Sequence, residues 1–131
     1  MAAPNIVNTT AIYGKSTAYT PSGTSAVVLL ANTSSSGKVL RVNNITAANV
    51  DGTNAVNATV SYYTDGDVAQ GSAPSGGTAY PIASTISVPA NASLTVMDKM
   101  TSLYLEEDRS ITVTSGAANK ITFTVSYEEI S

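Results

Sequence analysis

Hydrophobic and polar residues alternate one by one along several short stretches of this chain. The clearest stretch is residues 121–128 (ITFTVSYE), in which every second residue is Ile, Phe, Val or Tyr. Successive side chains of a β-strand point to opposite faces, so this alternation predicts a strand with one buried and one solvated face. No stretch keeps the spacing of an amphipathic helix over three turns. The pattern therefore predicts strands throughout the chain.

Gly, Pro, Asn and Asp cluster between these stretches, as at residues 51–52, 65–67 and 74–77. Glycine supplies positive φ, and Asn and Asp side chains bond to their own backbone, so these clusters predict turns. About eight strands are expected from such runs, at residues 6–13, 26–31, 38–47, 58–63, 79–88, 93–97, 110–114 and 121–128. Short, evenly spaced strands without helices predict an all-β fold, an antiparallel β-sandwich of jelly-roll type.

The chain shows no linker and no shift of composition that would divide it. Residues 1–131 are therefore expected to form a single domain. Residues 1–5 precede the first predicted strand and are expected to form a short N-terminal arm, which either frays or straps onto a neighbouring subunit.

Residues 26–31 (AVVLLA) are apolar on both faces of the predicted strand. If Val28 and Leu30 enter the core, Val27 and Leu29 point outward, or the reverse holds. We predict that Leu30 points inward and Leu29 outward. The outward side needs a cover, and two interpretations remain open: a strand buried on both faces within the domain, or a contact with another subunit.

Tyr62 and Tyr63 raise the same question, because adjacent strand residues face opposite ways and an outward Tyr is common at interfaces. The loop at residues 64–78 is long for a hairpin and has mostly small side chains, so it is expected to be flexible or to contact another subunit. The predicted interface residues are apolar side chains in need of a cover: Val27, Leu29, Tyr63, Ile6 and Val7.

Charge is sparse in this chain of 131 residues and 13.3 kDa. Charged residues make up 11% of it, against roughly 25% in a typical globular chain. With a net charge of -3, copies repel one another little, which favours a subunit of an assembly. The six basic residues are scattered and the sequence pI is about 4.6, so no nucleic-acid partner is expected. Neither a secretory signal nor a membrane-spanning run is recognisable.

The chain contains no Cys and no His, which excludes disulfides, thiol nucleophiles and Ser-His-Asp triads. Asp65 and Asp67 resemble the opening of a calcium loop, but the later ligands and the closing Glu are missing, so no metal is expected. The acidic residues at 106–108 and 128–129 could supply a carboxylate pair for glycoside cleavage only across a cleft. They are interpreted as solvated charges. We expect no catalytic residue, no cofactor and no enzymatic activity.

Several segments resemble a family of small structural proteins of tailed bacteriophages, especially phages of cyanobacteria and other marine bacteria. The segments are residues 4–8 (PNIVN), 48–53 (ANVDGT), 86–94 (ISVPANASL), 103–108 (LYLEED) and 126–131 (SYEEIS). The resemblance extends over almost the whole chain and consists of turn and strand phrases. It implies a β-sandwich component of the virion without a catalytic motif.

The expectation is therefore a non-enzymatic virion protein, in first place a capsid decoration or cement protein that stabilises the major capsid lattice. It would be made in the bacterial cytoplasm and would lie on the capsid surface. Its expected partners are copies of itself, as a homotrimer, and the major capsid protein, with no nucleic acid or membrane. The alternatives are a tail, neck or fibre component, or a carbohydrate-binding adhesin domain for host recognition. A hydrolase is a further hypothesis, which needs two carboxylates converging in a cleft.

Overall fold

The computed structural model describes residues 7–131 and confirms the predicted all-β sandwich. Within these residues it contains nine strands and one short 3₁₀ turn: β1 (Ile12–Tyr19), β2 (Val27–Asn32), β3 (Val39–Asn49), β4 (Val56–Tyr63), β5 (Ala79–Val88), β6 (Ser93–Met97), the 3₁₀ turn (Lys99–Thr101), β7 (Leu103–Leu105), β8 (Arg109–Ser115) and β9 (Ile121–Ile130). No helix in this part of the chain is long and apolar enough to cross a membrane.

The strands form two antiparallel sheets. The first sheet has the order β1-β9-β3-β6, with the short β7 also paired to β3, and the second has the order β2-β8-β4-β5. Strands β1 to β4 alternate between the sheets, and later strands return beside them, β9 next to β1 and β8 next to β2. This winding is that of a jelly roll.

The core lies between the sheets and is built from alternate residues of their strands. In β9, Ile121, Phe123 and Val125 are fully buried, whereas Thr122 and Thr124 between them remain accessible to solvent. Burying a side chain of this size stabilises the fold by roughly 1.5–3 kcal/mol. The alternation of residues 121–128 therefore marks the core-facing side of a strand, as predicted.

The first predicted strand is wrong in position. Strand β1 starts at Ile12, so it shares only two residues with the prediction of 6–13, and the part before residue 7 lies outside the described residues. Because β1 is an edge strand and mostly exposed, residues such as Lys15 and Ser16 fit it without apolar alternation. The prediction also missed β7, which has only three residues.

The predicted orientation of Leu29 is wrong as well. Leu29 and Leu30 are 0% and 7% exposed and both belong to the core. The pairing of β2 with β8 shifts between Val28 and Leu30, so Leu29 is the extra residue of a β-bulge. The bulge turns two consecutive side chains inward, which simple alternation does not allow.

Val28 is 0% exposed as well, so the chain itself also covers the other face of β2, and residues 70–72 cover its edge. Val28 N donates to Ser72 O (2.9 Å), Gly71 N donates to Val28 O (2.8 Å), and the Gln70 amide donates to Leu29 O (2.8 Å). Residues 70–72 thus occupy the main-chain groups of β2, which is an edge strand of the second sheet. Of the two interpretations left open for this strand, the structure supports burial within the domain.

Candidate functional site

The predicted interface residues do not form one patch. Val27 is half-buried and packs against the core, and Leu29 is fully buried in it. Val7 is 91% exposed, and Ile6 lies outside the described residues. The prediction that Leu29 faces a neighbouring subunit is therefore wrong, because no part of its side chain reaches the surface.

Tyr63 is also covered within the chain. Its side chain is 7% exposed, and its hydroxyl accepts a hydrogen bond from Gly77 N at 3.0 Å. Thr64 N donates to Thr78 O, so the loop at residues 64–78 returns against the end of β4. The predicted outward exposure of Tyr63 is wrong for this reason.

The exposed large apolar residues lie mainly on two free edge strands. On β5 they are Tyr80, Ile82 and Ile86, which are 57%, 39% and 41% exposed. On β1 they are Ile12 and Tyr13, at 54% and 58%. Strands β5 and β1 end the second and the first sheet respectively, so within residues 7–131 their apolar side chains have no further strand of the same sheet beside them.

One segment of a narrow side of the sandwich carries no charge, although Lys99 and β7 continue the same edge of the first sheet. It consists of residues 79–97, which comprise β5, β6 and the turn between them, and it is called here the uncharged side. Strands β5 and β6 each end their own sheet and contact each other. Charged residues are absent from all thirty positions from 68 to 97. This run is visible in the sequence, but its position along one edge of the fold is not.

Charges are paired on the β1-β9-β3 part of the first sheet. Glu129 accepts hydrogen bonds from Lys15 (3.1 Å) and Lys38 (3.0 Å), and Arg41 lies 3.5 Å from Glu128. The hydrogen bond from Lys38 is the main reason that the pKa of Glu129 lies below its ordinary value. The two C-terminal glutamates thus serve in ion pairs that link neighbouring strands.

Three carboxylates from separate turns lie together. Carboxylate oxygens of Asp65, Asp67 and Asp108 are all within 4.8 Å of one another. Each accepts a main-chain N–H: Asp65 from Asp67, Asp67 from Ser34, and Asp108 from Gly66. The bonds from Ser34 lower the pKa of Asp67. The sequence pattern identified Asp65 and Asp67 as candidate ligands. The position of Asp108 beside them depends on tertiary structure and has no signal in the sequence.

Packing explains why a glycine, Gly66, lies between the two aspartates of the turn at residues 65–67. A Cβ at this buried position would lie within 3.0 Å of main-chain atoms of Asn32 and Arg109. Only glycine fits where the turn passes so close to the backbone. The motif is therefore accounted for by packing and by main-chain hydrogen bonds.

An open groove of about 410 Å³ runs beside β2, lined among others by Thr17, Leu29, Asp67, Gln70 and Tyr127. The Gln70 amide bridges it, donating to Thr17 Oγ1 at 3.0 Å and to Leu29 O. Asp67 is the one acidic residue among the described residues that line it. Carboxylate-pair glycoside cleavage needs two such groups, so the groove does not offer that arrangement.

No protein-family model matches this chain, and no curated protein matches it either. Its function is therefore argued from its surfaces and from the segments of its sequence.

Proposed function

We propose that this protein is a non-enzymatic structural subunit of a bacteriophage particle that decorates the capsid and cements its major capsid protein. The observation that carries the proposal is the uncharged, partly apolar side on a sandwich with little charge elsewhere. The resemblance of segments such as residues 86–94 and 103–108 to phage structural proteins supports the particle as its place of action.

The proposed mechanism is mechanical. Copies associate with one another, in the sequence-based expectation as trimers, and bridge neighbouring subunits of the capsid. A specific interface buries about 1,600 Å² in total, and burial of apolar surface contributes roughly 25 cal/mol per Å² before the costs of association. Many such contacts around the lattice resist the outward pressure of packaged DNA.

A carbohydrate-binding adhesin is the alternative that the fold allows, because jelly rolls serve in lectins as well as in viral capsids. Fold alone does not select between them. Exposed aromatic side chains gathered at one loop end would favour the adhesin. The exposed tyrosines Tyr13, Tyr80 and Tyr104 lie on three strands, β1, β5 and β7. The strand registers place all three toward the end of the sandwich that carries the β2–β3, β4–β5 and β7–β8 connections, and this observation makes the adhesin the second candidate.

Electron microscopy of intact particles tests the proposal. A decoration protein is expected at every equivalent position of the capsid lattice, and purified protein should co-sediment with undecorated capsids. Density confined to the tail, neck or fibres would overturn the capsid role in favour of another virion position. Absence from the particle would overturn the proposal altogether.

A further inference from the structure

The uncharged side combines three properties of an interaction surface. It is free of charge over residues 79–97, it exposes large apolar side chains, and it joins the edges of both sheets. We infer that this side is the surface through which copies of this chain associate with one another. The inference rests on the proposed function, in which copies self-associate, and names the surface that they use.

The distribution of charge favours a second copy over a charged partner. When two identical surfaces meet, every charge on one faces a region that carries the same charges on the other, and like charges across an interface are costly. The uncharged side has no such charge to repel or to desolvate. A strongly charged partner would gain no ion pair here, whereas a second uncharged side fits without penalty.

The number of residues on this side comes close to that of one half of a specific interface. A specific interface takes roughly 800 Å² and 20 to 30 residues from each partner, and the whole chain exposes 6406 Å². The uncharged side supplies nineteen consecutive residues, with nine of the ten in β5 exposed or half-buried. Tyr80, Ile82 and Ile86 provide the apolar centre, since aromatic and aliphatic anchors carry most interface energy.

Charged residues border this side instead of crossing it. Asp98 follows its last residue, and Asp51 O accepts a hydrogen bond from Asn91 N in the turn between β5 and β6. A charged margin around an apolar centre is the usual composition of a specific interface.

The contact is made by side chains and not by extending the sheet. Pro81 has no N–H to donate, and the pairing of β5 with β4 is interrupted at two register shifts. Such interruptions block addition of a further strand. Two copies can meet β5 to β5 about a twofold axis, and three can meet β5 to β6 about a threefold axis. Both arrangements use the uncharged side and end in a closed assembly.

Analytical ultracentrifugation of the full chain tests the inference with a matched pair of variants. Ile86→Lys places a charge on the uncharged side, and Tyr13→Lys places the same charge on the exposed edge of β1. The wild type should sediment as a multiple of 13.3 kDa. Ile86→Lys should weaken association at least tenfold, while Tyr13→Lys should match the wild type, with circular dichroism showing that both are folded.

Ile82→Lys serves as the second variant on this side if Ile86→Lys does not fold, and it should weaken association in the same way. A wild type of single-copy mass at all concentrations would overturn the inference, as would association equally strong in Ile86→Lys and Ile82→Lys. A single-copy protein that still co-sediments with undecorated capsids would overturn the inference and the self-association in the proposed mechanism, and would leave the capsid role standing. An assembly broken by Ile86→Lys but absent from particles would support the inference and overturn the proposed function.

Discussion

Two buried asparagines hold the ends of strands to neighbouring segments. Asn49, the last residue of β3, is 3% exposed, and its amide donates to Asn54 O and Val88 O, both at 2.9 Å. Asn32, the last residue of β2, donates in the same way to Lys38 O and Leu105 O. Each amide nitrogen donates a hydrogen bond to two carbonyl oxygens at once. Buried carbonyl oxygens need such hydrogen-bond donors.

Replacing Asn49 by Asp should destabilise the fold strongly. The carboxylate has nearly the same shape, but it removes both donors and faces two carbonyl oxygens in a buried place. We expect a loss of at least about 3 kcal/mol in the free energy of unfolding at pH 7, measured by urea denaturation. The loss should shrink in acid, where protonation restores one donor. Asn57→Asp, at an exposed position on β4, is the control, and an equal loss in both variants would contradict the argument.

Glu129 should make stability depend on pH. Its pKa is lowered below the ordinary 4.5, mainly by the hydrogen bond from Lys38, so its contribution is present above that value and is lost as pH falls through the lowered pKa. Glu129→Gln should cost about 0.5–1 kcal/mol at pH 7, because the side chains of both lysines are partly exposed to solvent, at 46% and 41%. The difference from the wild type should vanish at acidic pH in urea titrations. Glu106→Gln, at an exposed position, is the control for the loss of one negative charge, and an equal loss of stability in both variants would contradict the argument.

At the scale of elements, β2 shows how a single extra residue changes what a strand buries. Both Leu29 and Leu30 lie in the core because of the bulge. We therefore expect that Leu29→Asp and Leu30→Asp both unfold the domain. Leu29→Ala should cost roughly 2 to 5 kcal/mol through lost burial and the cavity left behind. Circular dichroism measures whether each variant folds. A folded Leu29→Asp variant would contradict the placement of Leu29 in the core by the bulge.

Strands that face the core could be predicted closely from the sequence. The bounds of the exposed edge strand β5 agree with the prediction because turn residues at 74–77 and Pro89 mark its two ends. Strand β9, which does face the core, differs from the prediction only by its last two residues. Alternation carries this information because burial selects every second residue. It fails for β1, whose exposed residues are under no such selection, and for Leu29, since a bulge changes the register without a sequence signal. The cover of Tyr63 by the loop at residues 64–78 depends on tertiary hydrogen bonds and could not be read from a pattern.

The acidic turns illustrate the same limit. Asp108 joins Asp65 and Asp67 only because β8 begins beside the loop that follows β4. Since main-chain N–H groups bond to all three carboxylates, we expect EDTA to change the midpoint of thermal unfolding by less than about 1 °C. A rise of several degrees on adding calcium, followed by its loss on chelation, would contradict this expectation and would show that the cluster is a cation site.

At the scale of the whole molecule, charge and apolar surface are separated. The six basic and nine acidic residues all lie outside residues 68–97, and the ion pairs of Lys15, Lys38 and Arg41 gather on the first sheet. A net charge of -3 leaves only weak repulsion between copies at neutral pH. One region of the surface is thus solvated and paired, while the uncharged side remains available for apolar contact.

This separation predicts how association responds to solution conditions. Because the proposed contact carries no charge, screening acts only on the weak repulsion between copies, and the association constant should change less than about twofold between roughly 0.05 and 0.5 M NaCl. Apolar association weakens on cooling and is strengthened by excluded salts such as sulfate, so sedimentation equilibrium should show a smaller constant in the cold and a larger one in sulfate. Tyr13→Lys should respond like the wild type. Dissociation by NaCl alone would show that ion pairs hold the copies together, and the contact would then have to lie on the charged part of the first sheet.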